Sequence, residues 1–341
     1  MRLGIAIPRA TAITATWTTI HLARTALARG HSVRFIEPWD YEVDQHARVI
    51  ARAHSFDPGE ISAEEMVSAL HQRRAQRRFV DLSQIDILLL RVAPLSLGIL
   101  TFASLIRDRG VSVINDPDGV MAVSHKSWLA ALPGVPTPLT LVTRSRAAAH
   151  VFVEELRSGA VVKPARGSGG RGVARVRPRS DYGLDRAFDD ARLRGDGFVV
   201  LQEYVEEADA GEKRLMWLDG KLIGGYLRTR APGDFRHNLT RGGNAEALTI
   251  TDADRALLAP LSPHLIGAGI RLAGLDVIGS KITEVNVLNP GGTFHADRLG
   301  GPSLANQILA RLEAAPFYSG DPHGHAPPPE PKADPGHSLS R

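Results

Sequence analysis

The stretch VVKPARGSGGRGV, Val161–Val173, decides how this chain is read. Gly167, Gly169, Gly170 and Gly172 follow an apolar run that carries Lys163. Three of them formally match G-x-G-x-x-G. A dinucleotide fingerprint must open a helix, whose N-terminus holds the pyrophosphate. Here Val173 and Val176 alternate with Arg175 and Arg177, which is strand spacing. No Walker sequence is present. The expectation is strand, glycine loop, strand. Such a hairpin can lay backbone N–H groups over phosphate oxygens, because no Cβ blocks the approach. A flexible hairpin tip is the alternative, and the loop alone does not choose. Lys163 tilts the balance: a lysine on a buried strand needs an anionic partner, unless its stem carries the charge to the surface.

The surrounding chain has 341 residues, enough for two or three domains. Apolar (43%) and charged (23%) contents are ordinary for a globular protein. The net charge of +4 is too small to signal nucleic acid, and a basic pocket for phosphorylated ligands accounts for it. Basic patches interleaved with aromatics and zinc-finger spacings are both missing, so no nucleic-acid partner is expected. The chain has no cysteine, which excludes disulfides, thiolate metal sites and a Cys nucleophile. No apolar run reaches the ~18 residues of a membrane span, so no membrane partner is expected. The start, MRLGIAIPRA, reads as a first strand rather than a signal peptide, and the expected compartment is the cytoplasm.

Strand and helix signals alternate over the first 120 or so residues, which implies a parallel sheet covered by helices. Leu3–Ile7, Ser32–Ile36, Asp86–Arg91 and Val111–Ile114 read as strands. Helices are expected over Thr18–Arg29, stopped by Gly30, and Gly98–Arg109, stopped by Gly110. Another should start at the capping box Ser62-Ala-Glu-Glu65 and run to about Arg78. A short helix (Ser124–Leu132) and a Pro-rich turn lead to strand 139–142, helix 145–157, the opening hairpin, and helix 181–194. Phe198–Val205 is a strand, and Asp219-Gly220 turns a hairpin between Arg214–Leu218 and Lys221–Arg228. Thr229–Asn244 lacks periodicity, as functional loops do. Helix 251–268, strands Leu275–Ile278 and Ile282–Val287, and helix 303–314 complete the pattern. Expected domains are 1–123, 124–200 with the glycine loop, and 201–317 with a metal site. Residues 318–341 form a Pro-, Gly- and His-rich tail expected to be disordered, with His323 and His325 as solvated residues rather than ligands.

A second constellation is GLDVIGSKITEVNVLNPGG, residues 274–292. Glu284 and Asn286 are two apart on a strand and so share a face. The turn Gly279-Ser-Lys281 folds Asp276 back beside them. Three oxygen donors suit Mg²⁺, with phosphates and water completing its shell; the exposed face of an ordinary hairpin is the other reading. A third set is cationic: Lys126, Arg214, Arg228, Arg236 and Arg241. Fixed cations stabilise the charge of a phosphoryl transfer, although each alone also reads as a surface charge.

Together, VVKPARGSGGRGVARV, LQEYVEEADAGEKRLMWLDGKLIGGYLRTRAPGDFRHNLTRGGNAE and GLDVIGSKITEVNVLNP resemble the ATP-grasp superfamily, most closely the bacterial glutathione synthetases. The resemblance runs from about residue 2 to 315. It implies an α/β protein: an N-terminal parallel α/β (pre-ATP-grasp) domain, then an ATP-grasp fold of two α+β subdomains. It implies ATP and Mg²⁺, with Mn²⁺ as the alternative ion, and an ADP-forming ligase. A substrate carboxylate becomes an acyl phosphate and an amine attacks it. By resemblance, Lys126 and Lys163 contact ATP phosphates under the loop of Gly167, Ser168, Gly169 and Gly170. Gln202, Glu203, Tyr204 and Val205 line the adenine pocket, and Glu212 binds ribose. Asp276, Glu284 and Asn286 hold the metal. Arg214, Arg228 and Asn238 surround the transferred phosphoryl group, and residues 229–243 close over the acyl phosphate. A homo-oligomer, dimer or tetramer, is implied.

The acceptor side departs from the family. The segment after the first strand, Ala12–Thr19, carries no charge. The family's R-K-D-P is Arg91-Val-Ala-Pro94 here, and its S-P-T-C is Asn289-Pro-Gly-Gly292. Candidate substrate residues are therefore Trp17, Arg91, Arg236, Asn289, Gly291 and Gly292, for a small carboxylic acid and an amine. Glutathione synthesis from γ-glutamylcysteine and glycine stays open, as does a nucleotide-binding module without ligase activity.

Overall fold

A computed structural model describes residues 1–314, except Arg73, Leu95, Ser168, residues 178–180, Thr240 and Arg241, and the side chains of Asp181 and Tyr182. The expectations for Ser168, Arg241 and the tail with His323 and His325 lie outside the described residues.

Three sheets order the chain. The first contains β1 (Arg2–Ala6), β2 (Ser32–Ile36), β3 (Tyr41–Val43), β4 (Val49–Phe56), β5 (Gln76–Asp81), β6 (Ile87–Leu90) and β7 (Ser112–Ile114). The second contains β8 (Thr140–Thr143), β9 (Ala160–Pro164), β10 (Ala174–Val176) and β11 (Val199–Glu203). The third contains β12 (Glu212–Leu218), β13 (Lys221–Thr229), β14 (Asn244–Glu246), β15 (Leu272–Ile278) and β16 (Lys281–Asn286). The helices are α1 (Thr18–Ala28), α2 (Ala63–His71), α3 (Leu97–Arg107), α4 (Pro117–Val123), α5 (Ser127–Ala130), α6 (Arg146–Glu155), α7 (Asp181–Arg194), α8 (Asp252–Leu258), α9 (Ser262–Gly267), α10 (Thr293–Arg298) and α11 (Leu304–Ala314).

The parallel part of the first sheet runs β2-β1-β6-β7. Successive side chains of a strand point to opposite faces. Ile87 and Leu89 therefore join the core under α1 and α2, while Leu88 and Leu90 join the core under α3. Burial on both faces explains the unbroken Ile-Leu-Leu-Leu run. The capping box of α2 forms as expected, with both reciprocal hydrogen bonds.

The sheet is mixed rather than purely parallel. β4 runs antiparallel to β2, β3 and β5. The helix expected to reach Arg78 stops at His71, and β5 occupies 76–81. β4 supplies the reason. Its six-residue pairing with β5 satisfies backbone groups that a longer α2 would have used. Two other expected helices also differ: one is shortened and one is split. Residues 124–132 hold only α5, after a separate α4, and residues 251–268 divide into α8 and α9.

The second sheet has its own core, centred on Val162, Phe188 and Leu201. β9 and β10 pair antiparallel across the glycine loop, so the strand–loop–strand reading holds. β11 crosses residue 200, expected as a boundary, because it pairs with both β8 and β9 up to Glu203. The third sheet is covered on both faces. Leu215 and Trp217 pack with the α3 side, and Met216 and Leu218 with α1 and α11. The C-terminal helix thus returns to the first domain's core. No helix among the described residues is long and apolar enough to cross a membrane.

One buried side chain joins the first sheet to the third. Asn115 follows β7 and is 2% exposed. Its Oδ1 accepts from the Arg271 and Leu272 N–H groups, both at 2.8 Å. Its Nδ2 donates to the Leu272 and Val287 carbonyls at 2.7 and 2.6 Å. Nearby, α4 lies so close to Ala268 that a Cβ on Gly119 would come within 1.8 Å of that carbonyl oxygen. Removing the Asn115 amide strands four buried backbone bonds. Asn115→Ala should cost about 3 kcal/mol or more, read as a lower urea midpoint with an unchanged m-value.

Candidate active site

Strand register builds the charged row of the site. Glu212 on β12 faces Arg228 on β13, Arg214 faces Asp276 on β15, and Asp276 faces Glu284 on β16. Residues two apart share a face, so Glu212 lies beside Arg214 and Glu284 beside Asn286. Four strands therefore gather three carboxylates and two arginines on one face of the sheet. Asp276 Oδ1 lies 2.7 Å from Arg228 Nη2 and 3.0 Å from Arg214 Nε. Arg228 also meets Glu212 Oε2 at 2.6 Å. Asn286 Nδ2 donates to the Gly274 carbonyl at 3.3 Å and to Asp276 Oδ2 at 3.4 Å.

The second sheet faces this row. Lys163, on β9 and 8% exposed, donates to Gln202 Oε1 at 2.9 Å and to the Thr283 carbonyl at 3.3 Å. Gln202 in turn donates to Thr140. The lysine therefore spans the cleft instead of reaching the surface. Lys126, at the start of α5, contacts Glu284 Oε1 at 3.3 Å and the Gly167 carbonyl at 3.1 Å. Gly167, Gly169, Gly170 and Gly172 all have positive φ, which explains the glycine cluster.

Between the sheets lies a pocket of about 150 Å³. Gln202, Glu203, Tyr204 and Val205 form one wall, and Glu212, Arg214, Arg228, Asp276, Glu284 and Asn286 the other. Gly167, Gly169, Gly170, Arg236 and Asn238 also line it. A larger cleft of about 580 Å³ shares Lys126 and Lys163 and extends to Pro94 and Asn289. Arg236 pairs with Asp234 at 2.8 Å and donates to the Gly170 carbonyl at 3.3 Å, so the 229–243 loop lies on the glycine loop.

The acceptor-side candidates are more scattered. Arg91 is buried and donates to Pro290 O at 2.7 Å and Thr19 Oγ1 at 3.3 Å. Burial pushes its guanidinium below the usual arginine value. It ties the first domain to the segment after β16. Gly292 N–H donates to Thr18 Oγ1 on the same seam. Gly292 has φ 125° and would clash with Tyr226 if it carried a Cβ, whereas Gly291 has open space around it. Trp17 precedes α1, half-buried against the first domain's core. Neither pocket is lined by Trp17, Arg91, Gly291 or Gly292.

Electrostatics follow from this packing. Burial lowers the Lys163 pKa, opposed chiefly by Glu284. Burial would raise Glu284, but Lys126, Lys163 and Arg214 outweigh it and hold the carboxyl below its usual value. Burial and then Asp276 push Glu212 up, to about 7, against Arg228 and Arg214. Arg214 Nε and Nη1 and Arg228 Nε are buried without a hydrogen-bond acceptor, Arg214 Nε despite its 3.0 Å approach to Asp276 Oδ1, as suits an anionic ligand. No cluster of three or more His, Cys, Asp or Glu side chains that could hold a metal occurs among the described residues. The two carboxylates and one amide of Asp276, Glu284 and Asn286 instead fit a hard cation that takes its other ligands from phosphate and water. His237 was not singled out in the sequence, yet it is 5% exposed and lines the pocket. Its only sequence signal is its place between Arg236 and Asn238 in an aperiodic loop.

A glycine-loop sheet closing on an oxygen- and arginine-bearing sheet defines an ATP-grasp ligase. Solved structures share the fold. D-cycloserine synthetase superposes with a TM-score of 0.61 at 19% identity, over 91% of this chain and 99% of that one. D-alanyl-alanine synthetase A from Vibrio cholerae gives 0.59 at 12% identity, over 92% and 98%. Family models for the N-terminal domain and the ATP-grasp domain of prokaryotic glutathione synthetase match residues 1–120 and 126–301. The chain belongs to the prokaryotic glutathione synthetase family. A glutathione synthetase from Gloeobacter violaceus is 30% identical over 302 residues, 86% of this chain and 90% of the relative. One from Synechococcus elongatus is 36% identical over 210 residues, 62% of this chain and 64% of the relative, just under two thirds of its length. Ligases of this class use ATP and a divalent metal.

Glu284 touches Lys126 but is not needed to fill the core, so its carboxylate can be neutralised without a cavity. Glu284→Gln should lower metal-dependent ADP release by at least ~100-fold while the melting temperature moves by only a few degrees, about 4 °C or less. Retained turnover would remove Glu284 from the metal set.

Proposed function

We propose that this protein joins a small carboxylic acid to an amine at the expense of ATP, with Mg²⁺ as the metal and Mn²⁺ as an alternative. The observation that carries the reading is the charged row, Glu212–Arg228–Asp276–Arg214–Glu284, facing two lysines across a cleft. Bound ATP and metal would supply the phosphoryl group and neutralise its charge, allowing the acid to become an acyl phosphate. Lys126 and Lys163 would hold the phosphates, and the glycine loop would cover them with backbone N–H groups. Arg214 and Arg228, already fixed by Asp276, would meet the transferring group without reorganising. Asn238 would add a neutral donor from the loop. Asp276, Glu284 and Asn286 would hold the metal. The 229–243 loop, resting on Gly170, would exclude the water that hydrolyses acyl phosphates. No residue of the chain is required as a nucleophile.

The acid need not be γ-glutamylcysteine. The uncharged segment Ala12–Thr19 with Trp17, Val92-Ala93 after Arg91, and Pro290-Gly-Gly292 favour an acceptor pocket less charged than the family's. Glutathione synthesis is the second reading, favoured by the names of the relatives. A cytoplasmic homo-oligomer, dimer or tetramer, is the assembly expected from the family resemblance.

The discriminating experiment is an ADP-release screen of amino acids, γ-glutamyl dipeptides and other small acids against a panel of amines. Efficient turnover of γ-glutamylcysteine with glycine would establish the second reading. ADP release with no acid–amine pair would sink the ligase proposal. Trp17→Ala should shift which acid is used by about tenfold in relative kcat/KM without changing ATP affinity. Equal loss for every acid would remove Trp17 from substrate selection.

A further inference from the structure

We infer that His237 is a positioning residue that latches the 229–243 loop to the turn beside the nucleotide hinge, the wall segment Gln202–Val205. The inference rests on the nucleotide-site reading above, and adds a contact outside its phosphate, metal and ribose groups.

His237 Nε2 lies 2.7 Å from the Ala208 carbonyl. A carbonyl only accepts, so Nε2 must carry the proton. Burial lowers the His237 pKa, which agrees with one proton on the ring. Nδ1 sits 3.9 Å from Glu212 Oε2, beyond hydrogen-bond reach but within the same pocket. Ala208 belongs to the short helical turn Glu206–Ala210, which begins directly after Val205, the last hinge residue. One donor thus fixes the middle of the loop to the end of the hinge.

The same turn holds the start of the loop. Asp209 Oδ1 accepts from Arg230 Nη1 at 2.7 Å and from the Tyr204 hydroxyl at 3.2 Å. Arg175, from β10 after the glycine loop, lies 3.4 Å over the Tyr204 ring. Farther along, Arg236 reaches Gly170. Arg230, Arg175 and Arg236 make partly exposed contacts, worth little each in water. The His237 bond is buried and so is shielded from competing water, although the Ala208 carbonyl also accepts from the Gly211 N–H at 3.1 Å. Of these ties it should contribute most to holding the loop. Through the turn, it also links loop position to what the hinge binds.

Limited trypsin digestion of the full chain reads loop opening at Arg230 and Arg236, because cleavage follows the open population when closing is fast. Without nucleotide, His237→Ala should be cut about tenfold faster than the wild type, the scale of one buried hydrogen bond. His237→Gln, whose amide can also donate to Ala208, should recover at least about half of that effect on a logarithmic scale. Equal rates for wild type and His237→Ala would overturn the latch. So would His237→Gln cutting as fast as His237→Ala at the same melting temperature. A melting temperature that falls in both variants together with equal cleavage elsewhere in the chain would assign the histidine to general stability and also overturn it. A second arm adds the Mg²⁺ complex of a non-hydrolysable ATP analogue. The wild-type loop should be protected further, and the dissociation constant should rise several-fold, about three to ten, in His237→Ala. Failure of the wild type to bind the analogue would sink the nucleotide reading, while the digestion without nucleotide still judges the latch.

Discussion

The relation of the first domain to the catalytic sheet depends on one amide. An Asn side chain offers two acceptor sites and two donors. Asn115 uses all four on the backbone at the start of β15 and just after β16. Those are the two strands that carry Asp276, Glu284 and Asn286. The amide also closes the end of the parallel sheet, where ligand crevices form in open α/β sheets. One buried group therefore fixes the end of the first sheet against the two strands that carry those three side chains. Arg91, donating to Pro290, reinforces the seam from the neighbouring strand.

On that frame, the site solves an electrostatic problem. A sheet that buries three carboxylates side by side would repel itself. By register Arg228 lies opposite Glu212 and Arg214 opposite Asp276, and Lys126 meets Glu284 from the facing side, so charges are matched before any ligand arrives. Matched charges remain incompletely hydrogen-bonded, since three of the guanidinium nitrogens of Arg214 and Arg228 lack acceptors. That combination leaves an ordered cationic face for phosphate at small reorganisation cost. The facing lysines complete it from a side that includes a sheet with its own core.

Much of this was legible in the sequence where the signal is local. The positive φ of the loop glycines, the hairpin around it, the Asp219-Gly220 turn and the Glu284/Asn286 pair all follow from short-range rules. The nucleotide-side candidates outside Ser168 converge on one pocket with their spacing intact. Illegible features were those set by distant partners. β5 pairs with β4 while keeping its charged residues largely at the surface, so the Arg-rich run 73–78 imitates the end of an exposed helix. His237 looked like filler because its partner, Ala208, is a backbone carbonyl with no sequence signature.

The sequence by itself determined the class of each segment and the kinds of atoms available: a glycine loop, oxygen donors two apart, unpaired-looking cations and an acceptor segment stripped of charge. These are properties of neighbouring residues, and dihedral preference and strand alternation suffice to read them. Tertiary structure alone decided which cation meets which carboxylate, that Lys163 crosses the cleft to Thr283, and that α11 returns to the first core. Register, burial and cross-sheet contact join residues that are distant in the chain, in the case of Lys163 and Thr283 more than a hundred positions apart. No local propensity encodes the shift of one residue that would turn an entire charged row to the opposite face.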